Sequence, residues 1–314
     1  MTEVPAEKAA KPGLNIYGCA AVNPSKCTIM AEELGLANIF LYASGITASP
    51  YNYINLDMSK GEMGEEWFKT INPNGKVPAI VHVKEDGTKV TVWESAACLL
   101  YMADMFDKEH KFSYPVGTPG VLHAAVLGEL YPANYMQIMR CLDLGYISTD
   151  DHGLQLSWQV AGYGPMMGQA AHFNRYIPKA DPYGSWRYTS ECRRLHAVLE
   201  KRLAETDYLV GDRMTIADFA AFIFAHSARW CGVDIDDFPK VKEWRDKIAQ
   251  RPAVQKALLV PVPYQFSDTA VVDPANQDTL KMIRKFGTQG IKGATMRYTK
   301  EATTVPSDHA NYEE

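Results

Sequence analysis

The chain has little of what marks several large functional classes. Its 314 residues carry no basic surplus: 32 Lys and Arg stand against 37 Asp and Glu, for a net charge of -5. A nucleic-acid surface needs concentrated positive charge to displace counterions, so the balance argues against that class. No apolar run approaches the ~20 residues that span a bilayer, and residues 1–12 are polar, without the apolar core of a signal peptide. A cytoplasmic protein with no membrane contact is expected. The eight histidines are scattered, none at ligand spacing with Cys, Asp or Glu, so no metal site is expected. Walker and dinucleotide-binding glycine patterns are missing as well. The six cysteines, at 19, 27, 98, 141, 192 and 231, include no Cys-x-x-C pair, which fits buried thiols in a reducing compartment.

What is present is a length that suits two domains and an ordinary hydrophobic content of 46%. Residues 14–17 read as a strand and 24–35 as a helix ended by Gly35. A loop over 45–53 leads to a strand at 53–56, then a helical turn at 65–70. Strands at 77–83 and 89–93 flank Asp86-Gly87, a hairpin signal, and 95–106 has helical spacing of Ala, Leu and Met. The order β-α-β-(α)-β-β-α is that of a thioredoxin-like domain. From Pro119 to Leu259 the chain reads as helices. Thr215-Ile216-Ala217-Asp218 forms a capping box there, and Arg251-Pro252 begins a last helix. The expected division is a flexible arm over 1–12, a thioredoxin-like domain over 13–107, a linker over 108–118, an all-helical domain over 119–260 and an extension over 261–314. Between Lys281 and Lys300 the extension has six basic residues and no acidic one. A solvated arm and an anion-attracting flap near the active site are both open readings.

The most informative stretch is Asn72-Pro73-Asn74-Gly75-Lys76-Val77-Pro78-Ala79-Ile80, followed by Trp93-Glu94-Ser95-Ala96. X-Pro is the linkage in which a cis bond costs little. A cis Val77-Pro78 bond would turn the Val77 N–H and C=O toward an extended peptide. Ser95, at a helix N-terminus, offers a hydroxyl and free N–H groups to a carboxylate, while Glu94 takes an ammonium. The result is a receptor for a peptide with a free α-amino-acid end. Here the chain resembles the cytosolic glutathione transferases, and the receptor resembles their glutathione site. The resemblance covers residues 14–259. Asn55-Leu56-Asp57, Lys60-Gly61-Glu62, Glu66-Trp67-Phe68, Gly164-Pro165-Met166-Met167-Gly168-Gln169, His172-Phe173 and Arg187-Tyr188-Thr189 look like the Nu-class bacterial enzymes and the fungal nitrogen-regulator-like transferases. It implies an α/β plus all-α architecture, a thioredoxin-like domain followed by a helical one, in a homodimer that uses glutathione. It also implies that Lys76, Val77, Pro78, Glu94 and Ser95 hold glutathione and that Arg187 approaches one of its carboxylates.

The catalytic loop departs from this group. Where the group reads Thr-Pro-Asn-Gly, the chain has Ala21-Val22-Asn23-Pro24, so the usual hydroxyl is missing. Other classes place a catalytic Ser where Val22 stands. The nucleophile is the thiolate of glutathione, which hydrogen-bond donors and a positive helix end favour. Asn23 has two open readings, as a donor to that sulfur or as the N-cap of a helix with Pro24 at its first position. Ser25 is the donor if the loop register slips. Cys19 either forms a mixed disulfide with glutathione or packs as a small hydrophobe. Lys26 has two open readings, as an electrostatic support for the thiolate or as an ordinary helix-surface lysine. A second substrate, a small hydrophobic or aromatic electrophile, is expected between the domains against Tyr131, Tyr135, Trp158, Tyr163 and Met167, with residues 145–153 at the rim. Core packing is the competing reading for these side chains. The leading function is thiolate transfer to an electrophile or thiol–disulfide exchange. One alternative is glutathione-dependent β-aryl-ether cleavage, since Trp67-Phe68-Lys69-Thr70-Ile71-Asn72-Pro73 also resembles that group. The other is a glutathione-binding regulator without chemistry, which the missing hydroxyls would suit.

Overall fold

Strand β1 (Gly13–Gly18) is the centre of the N-terminal half in the computed structural model, which describes residues 3–36, 51–114, 152–177 and 181–267. Successive side chains of a strand point to opposite faces. Leu14 and Ile16 therefore enter the core beneath the helices, while Tyr17 faces the other side with Phe68 and Val81. The sheet has the order β2-β1-β3-β4. β2 (Tyr51–Asn55) runs parallel to β1, with Ile16 opposite Tyr53. β3 (Ala79–Val83) is antiparallel to β1, with Ile16 opposite Ile80, and pairs antiparallel with β4 (Lys89–Trp93). Gly87 closes that hairpin with a φ of 81°, a conformation side chains other than glycine's rarely adopt.

Helix α1 (Val22–Glu33) and helix α3 (Ser95–Phe106) cover one face of the sheet, and the short α2 (Glu66–Lys69) brings Trp67 and Phe68 to the other. The helical half follows. α4 (His152–Trp158) passes through a π-helical stretch, Gln159–Tyr163, into α5 (Gly164–Ala171), which ends in a second π-helical stretch, His172–Tyr176. α6 (Pro182–Glu205), α7 (Ile216–Ala225), α8 (Pro239–Ala249) and α9 (Pro252–Ala257) complete it. All ten residues of α7 are buried, as an all-round apolar helix requires. α1 packs against α7 and α9, which joins the halves, and the Arg251 guanidinium grips Glu33 with bonds of 2.5 and 2.7 Å.

This is the architecture expected from the sequence: a mixed four-stranded sheet with helices, then a helical half. Boundaries moved where packing overrode local signals. The strand expected at 53–56 occupies Tyr51–Asn55 because it follows the register of β1. The strand expected from Val77 begins at Ala79, where pairing with Trp93 begins. The helix expected from Pro24 begins at Val22. The five described cysteines are buried, and no disulfide joins any two of them. Residues 45–50 and 145–151 and the basic stretch 281–300 lie outside the described residues.

The capping box at the start of α7 holds the helical half together. The Asp218 carboxylate accepts from the Leu209 N–H at 3.0 Å, the Thr215 N–H at 2.8 Å, the Thr215 hydroxyl at 2.9 Å and the Trp244 Nε1–H at 3.0 Å. Burial pushes its pKa up to about 6 against the pull of these donors, so it is ionised at neutral pH. Asp218→Ala leaves those buried donors without their acceptor and is expected to cost about 3 kcal/mol of unfolding free energy in urea melts. A loss below about 1 kcal/mol would mean that the donors find other partners.

Candidate functional site

A cleft of about 1390 Å³ lies between the halves. The sheet side supplies residues 19–23, 55–59, 76–77 and 94–95, all at strand ends or helix starts; the helical side supplies the 159–176 stretch, α7 and residues 261–266. The first wall is the start of α1. Its N-cap, Ala21, has no side chain to bond the first-turn N–H groups, so the positive end of the helix is left open. Asn23 sits inside the first turn, exposed to the cleft, and its amide has no partner among the described residues. The N-cap reading of Asn23 is thereby corrected: helical geometry begins one residue earlier, and the amide is free for a ligand.

The other two loop candidates are turned away. Ser25 is buried and donates its hydroxyl to the Ala21 carbonyl at 3.2 Å, so the reading of Ser25 as a sulfur donor does not hold. Cys19 lines the cleft but is only 3% exposed, and burial pushes its thiol up to about 12. A thiol held protonated is a poor nucleophile, so packing is the better account of Cys19. Its carbonyl accepts from the Ala21 N–H at 2.7 Å and the Tyr53 hydroxyl at 3.1 Å. That hydroxyl stands 2.3 Å from where a Cβ on Gly18 would be, so only glycine fits at the strand end.

The residues of the expected receptor, Lys76, Val77, Glu94 and Ser95, come together on the cleft. The Val77-Pro78 bond is cis, Val77 lies on the cleft ahead of β3, and Pro78 is buried behind it. Asn72 fastens this loop by donating to the Lys76 carbonyl at 2.6 Å, and the Lys76 side chain is exposed at the cleft. Glu94 takes a φ of 70°, rare outside glycine, and its exposed carboxylate also lines the cleft. Such backbone outliers cluster at ligand clamps. Ser95, the first residue of α3, is buried at the cleft floor.

Arg187 is not part of this receptor. It is exposed on α6, outside the cleft lining, where its charge adds to the hydrogen-bonded Arg194 in lowering the Glu191 carboxyl. Of the expected second-substrate residues, Met167 lines the cleft. Trp158 and Tyr163 do not: they stack on each other at 5.2 Å, and the Tyr163 hydroxyl meets His196 Nε2 at 3.1 Å, inside the core. Aromatic spacing on a helix meant packing there. Tyr131 and Tyr135 lie outside the described residues.

Two further residues stand at the centre: Lys26, for which the sequence left an electrostatic role open beside a surface one, and Gln159, which it did not mark. Lys26 is 2% exposed, and its ammonium donates to Ser95 Oγ and to Gln159 Oε1, each at 3.1 Å. The Phe224 ring lies 5.1 Å from it. Burial lowers its pKa to about 7, against the opposing fields of Cys27, Glu94 and Cys98. The sequence held one signal: Lys26 is the only charged residue between Gly13 and Ala31. Gln159 gave none, because its π-helical stretch leaves no local pattern. The segment after α9 was also missed as a wall. There Tyr264 and Ser227 share a 2.6 Å hydrogen bond, and Phe266 packs edge-on against Trp230 at 5.2 Å. Among the described residues no group of His, Cys, Asp and Glu comes together to hold a metal, and no described helix is long and apolar enough to cross a membrane.

Comparison with known proteins agrees with this geometry. Residues 23–105 match the glutathione S-transferase N-terminal domain and residues 189–252 the glutathione S-transferase C-terminal domain. The disulfide-bond oxidoreductase YfcG of Escherichia coli (strain K12) is 32% identical over 248 residues, covering 78% of this chain and 94% of that protein. Among solved structures, a glutathione transferase homolog from Lodderomyces elongisporus, with two GSH per subunit, is 33% identical with a TM-score of 0.61, covering 80% of this chain and 100% of the other. The glutathione transferase URE2P6 from Phanerochaete chrysosporium, in complex with oxidized glutathione, is 29% identical with a TM-score of 0.60, covering 78% and 94%. From the shared fold, the assembled receptor and a relative matched over almost its full length, the chain belongs to the glutathione transferase family.

Proposed function

We propose that this protein binds glutathione in the receptor and catalyses thiol–disulfide exchange with it, as a homodimer. The observation that carries the reading is the open N-terminus of α1, with the free Asn23 amide beside it, next to a loop cysteine that burial holds protonated. This arrangement favours a ligand sulfur as the nucleophile over the protein's own thiol. Val77 pairs with the cysteinyl backbone of glutathione and Glu94 takes its ammonium. Ser95 and the start of α3 take the γ-glutamyl carboxylate, and Lys76 attracts the glycyl carboxylate.

In the reaction the bound thiol gives its proton to solvent, and its thiolate, held by Asn23 and the helix end, attacks one sulfur of a disulfide. A new S–S bond forms to glutathione as the old one breaks. The departing sulfur leaves as a thiolate and takes up a proton. The apolar wall of Val160, Met167 and Phe224 suits a hydrophobic or aromatic group on the disulfide, or a small electrophile attacked in the same way. The disulfide-bond oxidoreductase among the relatives and the oxidized glutathione held by a structural neighbour support exchange as the principal reaction. A second reading, binding without turnover, has one observation in its favour: Ala21 and Val22 stand where related proteins carry hydroxyls.

Asn23→Ala is expected to lower kcat/KM for a small glutathione mixed disulfide on the order of 10- to 100-fold, while Cys19→Ala stays within about 2-fold. Steady-state assays of the two variants check this. The reverse order would make the chain a cysteine-type enzyme, and no turnover at all would favour the binding-only reading. In the same assay Glu94→Gln is expected to raise KM for glutathione about 10-fold with kcat little changed, because the lost charge-assisted bond acts on the bound ground state and transition state alike.

A further inference from the structure

Lys26 is a buried amine with no counter-ion among the described residues. No carboxylate among the described residues comes within salt-bridge distance of it, and its two hydrogen-bond partners, Ser95 Oγ and Gln159 Oε1, are neutral. An ammonium has three N–H donors, so one is unassigned among the described residues on a side chain that lines the cleft. A buried charge is tolerated only when paired. The position of Lys26, behind Ser95 and at the junction of α1, α3 and the helical half, says where the missing anion belongs. Resting on the glutathione reading above, we propose that Lys26 is the counter-charge for the γ-glutamyl carboxylate, and that ligand binding draws a proton from solvent onto its amine.

The hydrogen-bond geometry gives the route. As a neutral amine, Lys26 accepts the Ser95 O–H, and the serine hydrogen is turned away from the ligand. Once protonated, Lys26 donates to Ser95 Oγ and frees that hydrogen for the carboxylate. The ligand's charge reaches the lysine both through this bond and directly. Gln159 steadies the ammonium from the helical half, so the same bond couples the two halves at the receptor. Lys26 is thus a positioning residue for Ser95 as well as a charge.

Few other groups act on this amine. On its own helix Cys27 faces it, and Glu94 and Cys98 do so from α3. The helical half presents Gln159 and Phe224, both uncharged. From α9 and its start, Arg251 and Lys256 act on Glu33 and Glu32, at the far end of α1. The one titratable side chain of β1, Tyr17, lies on the opposite face of the sheet. With a pKa of about 7 before a ligand binds, the amine is half charged at neutrality. A bound carboxylate raises that pKa, so affinity is full below pH 7 and falls as pH rises through and above it.

The test is calorimetry with S-methylglutathione, which has no thiol and so reports nothing about sulfur activation. Titrations in buffers of different ionisation enthalpy count the protons taken up. For wild type the expected uptake is about half a proton at pH 7, with Kd weakening about 4-fold between pH 6 and 7.5. Lys26→Arg, charged throughout, is expected to bind with no such uptake and a Kd flat over that range. Lys26→Met is expected to bind at least 10-fold more weakly, also with a flat profile. Wild-type binding without proton uptake overturns the inference and leaves the glutathione reading standing. Uptake that persists in Lys26→Arg assigns the proton to another group and likewise overturns it. If wild type does not bind the probe at all, both readings fall. The wild-type proton count needs no variant to fold.

Discussion

Helix α1 is enclosed on every side from Pro24 to Ala31, by the sheet and α3 below and by α7 and α9 above. Its first turn is the exception, opening onto the cleft. The rest of the structure depends on that arrangement. Enclosing the helix joins the two halves, because the surface that packs on the sheet domain is continuous with the surface that packs on the helical one. It also fixes where the open helix end points, and a helix end is an electrostatic feature only where water does not screen it. A lysine in such a helix meets water only through the cleft. The chain therefore carries a charge into its own domain junction, and that is tolerable because the junction is where an anionic ligand is proposed to sit.

Two helix starts thus face one cleft, and the proposed function gives them different tasks. In that reading the start of α3, with Ser95 and Lys26 behind it, takes a permanent carboxylate. The start of α1, with Asn23 and no side-chain cap, takes a charge that forms only when a thiol ionises. Glu94 and the Val77 backbone, on the cleft between these helix starts, would set how a peptide lies between them. Cys19 is close by, yet its burial removes the charge that a nucleophilic thiol needs. With the nucleophile on the ligand, as proposed, the protein's part is positioning and electrostatic stabilisation.

Much of this was legible in the sequence, and the failures have physical causes. The cis Val77-Pro78 bond and the placing of Val77, Glu94 and Ser95 on one cleft could be read because their signals are local, Val-Pro before a strand and Glu-Ser at a helix start. The capping box of α7 could be read for the same reason. Asn23 was harder, since Asn-Pro at a helix start satisfies capping rules wherever the helix begins, and a shift of its start to Val22 decides between a cap and a free donor. The surface reading of Lys26 failed because its surroundings come from distant chain segments; Gln159 is over a hundred residues away. Trp158 and Tyr163 failed in the other direction, because helical spacing alone does not tell a cleft from a core.

The proposed chemistry turns on which sulfur ionises. Its most direct test is the pKa of the thiol of bound glutathione, followed by ultraviolet thiolate absorbance as pH is raised with the protein saturated. The prediction is a thiol that titrates at least one unit below free glutathione under the same conditions, with no glutathione attached to the protein by mass. A thiol that titrates as in free solution, or a stable adduct on Cys19, would contradict it.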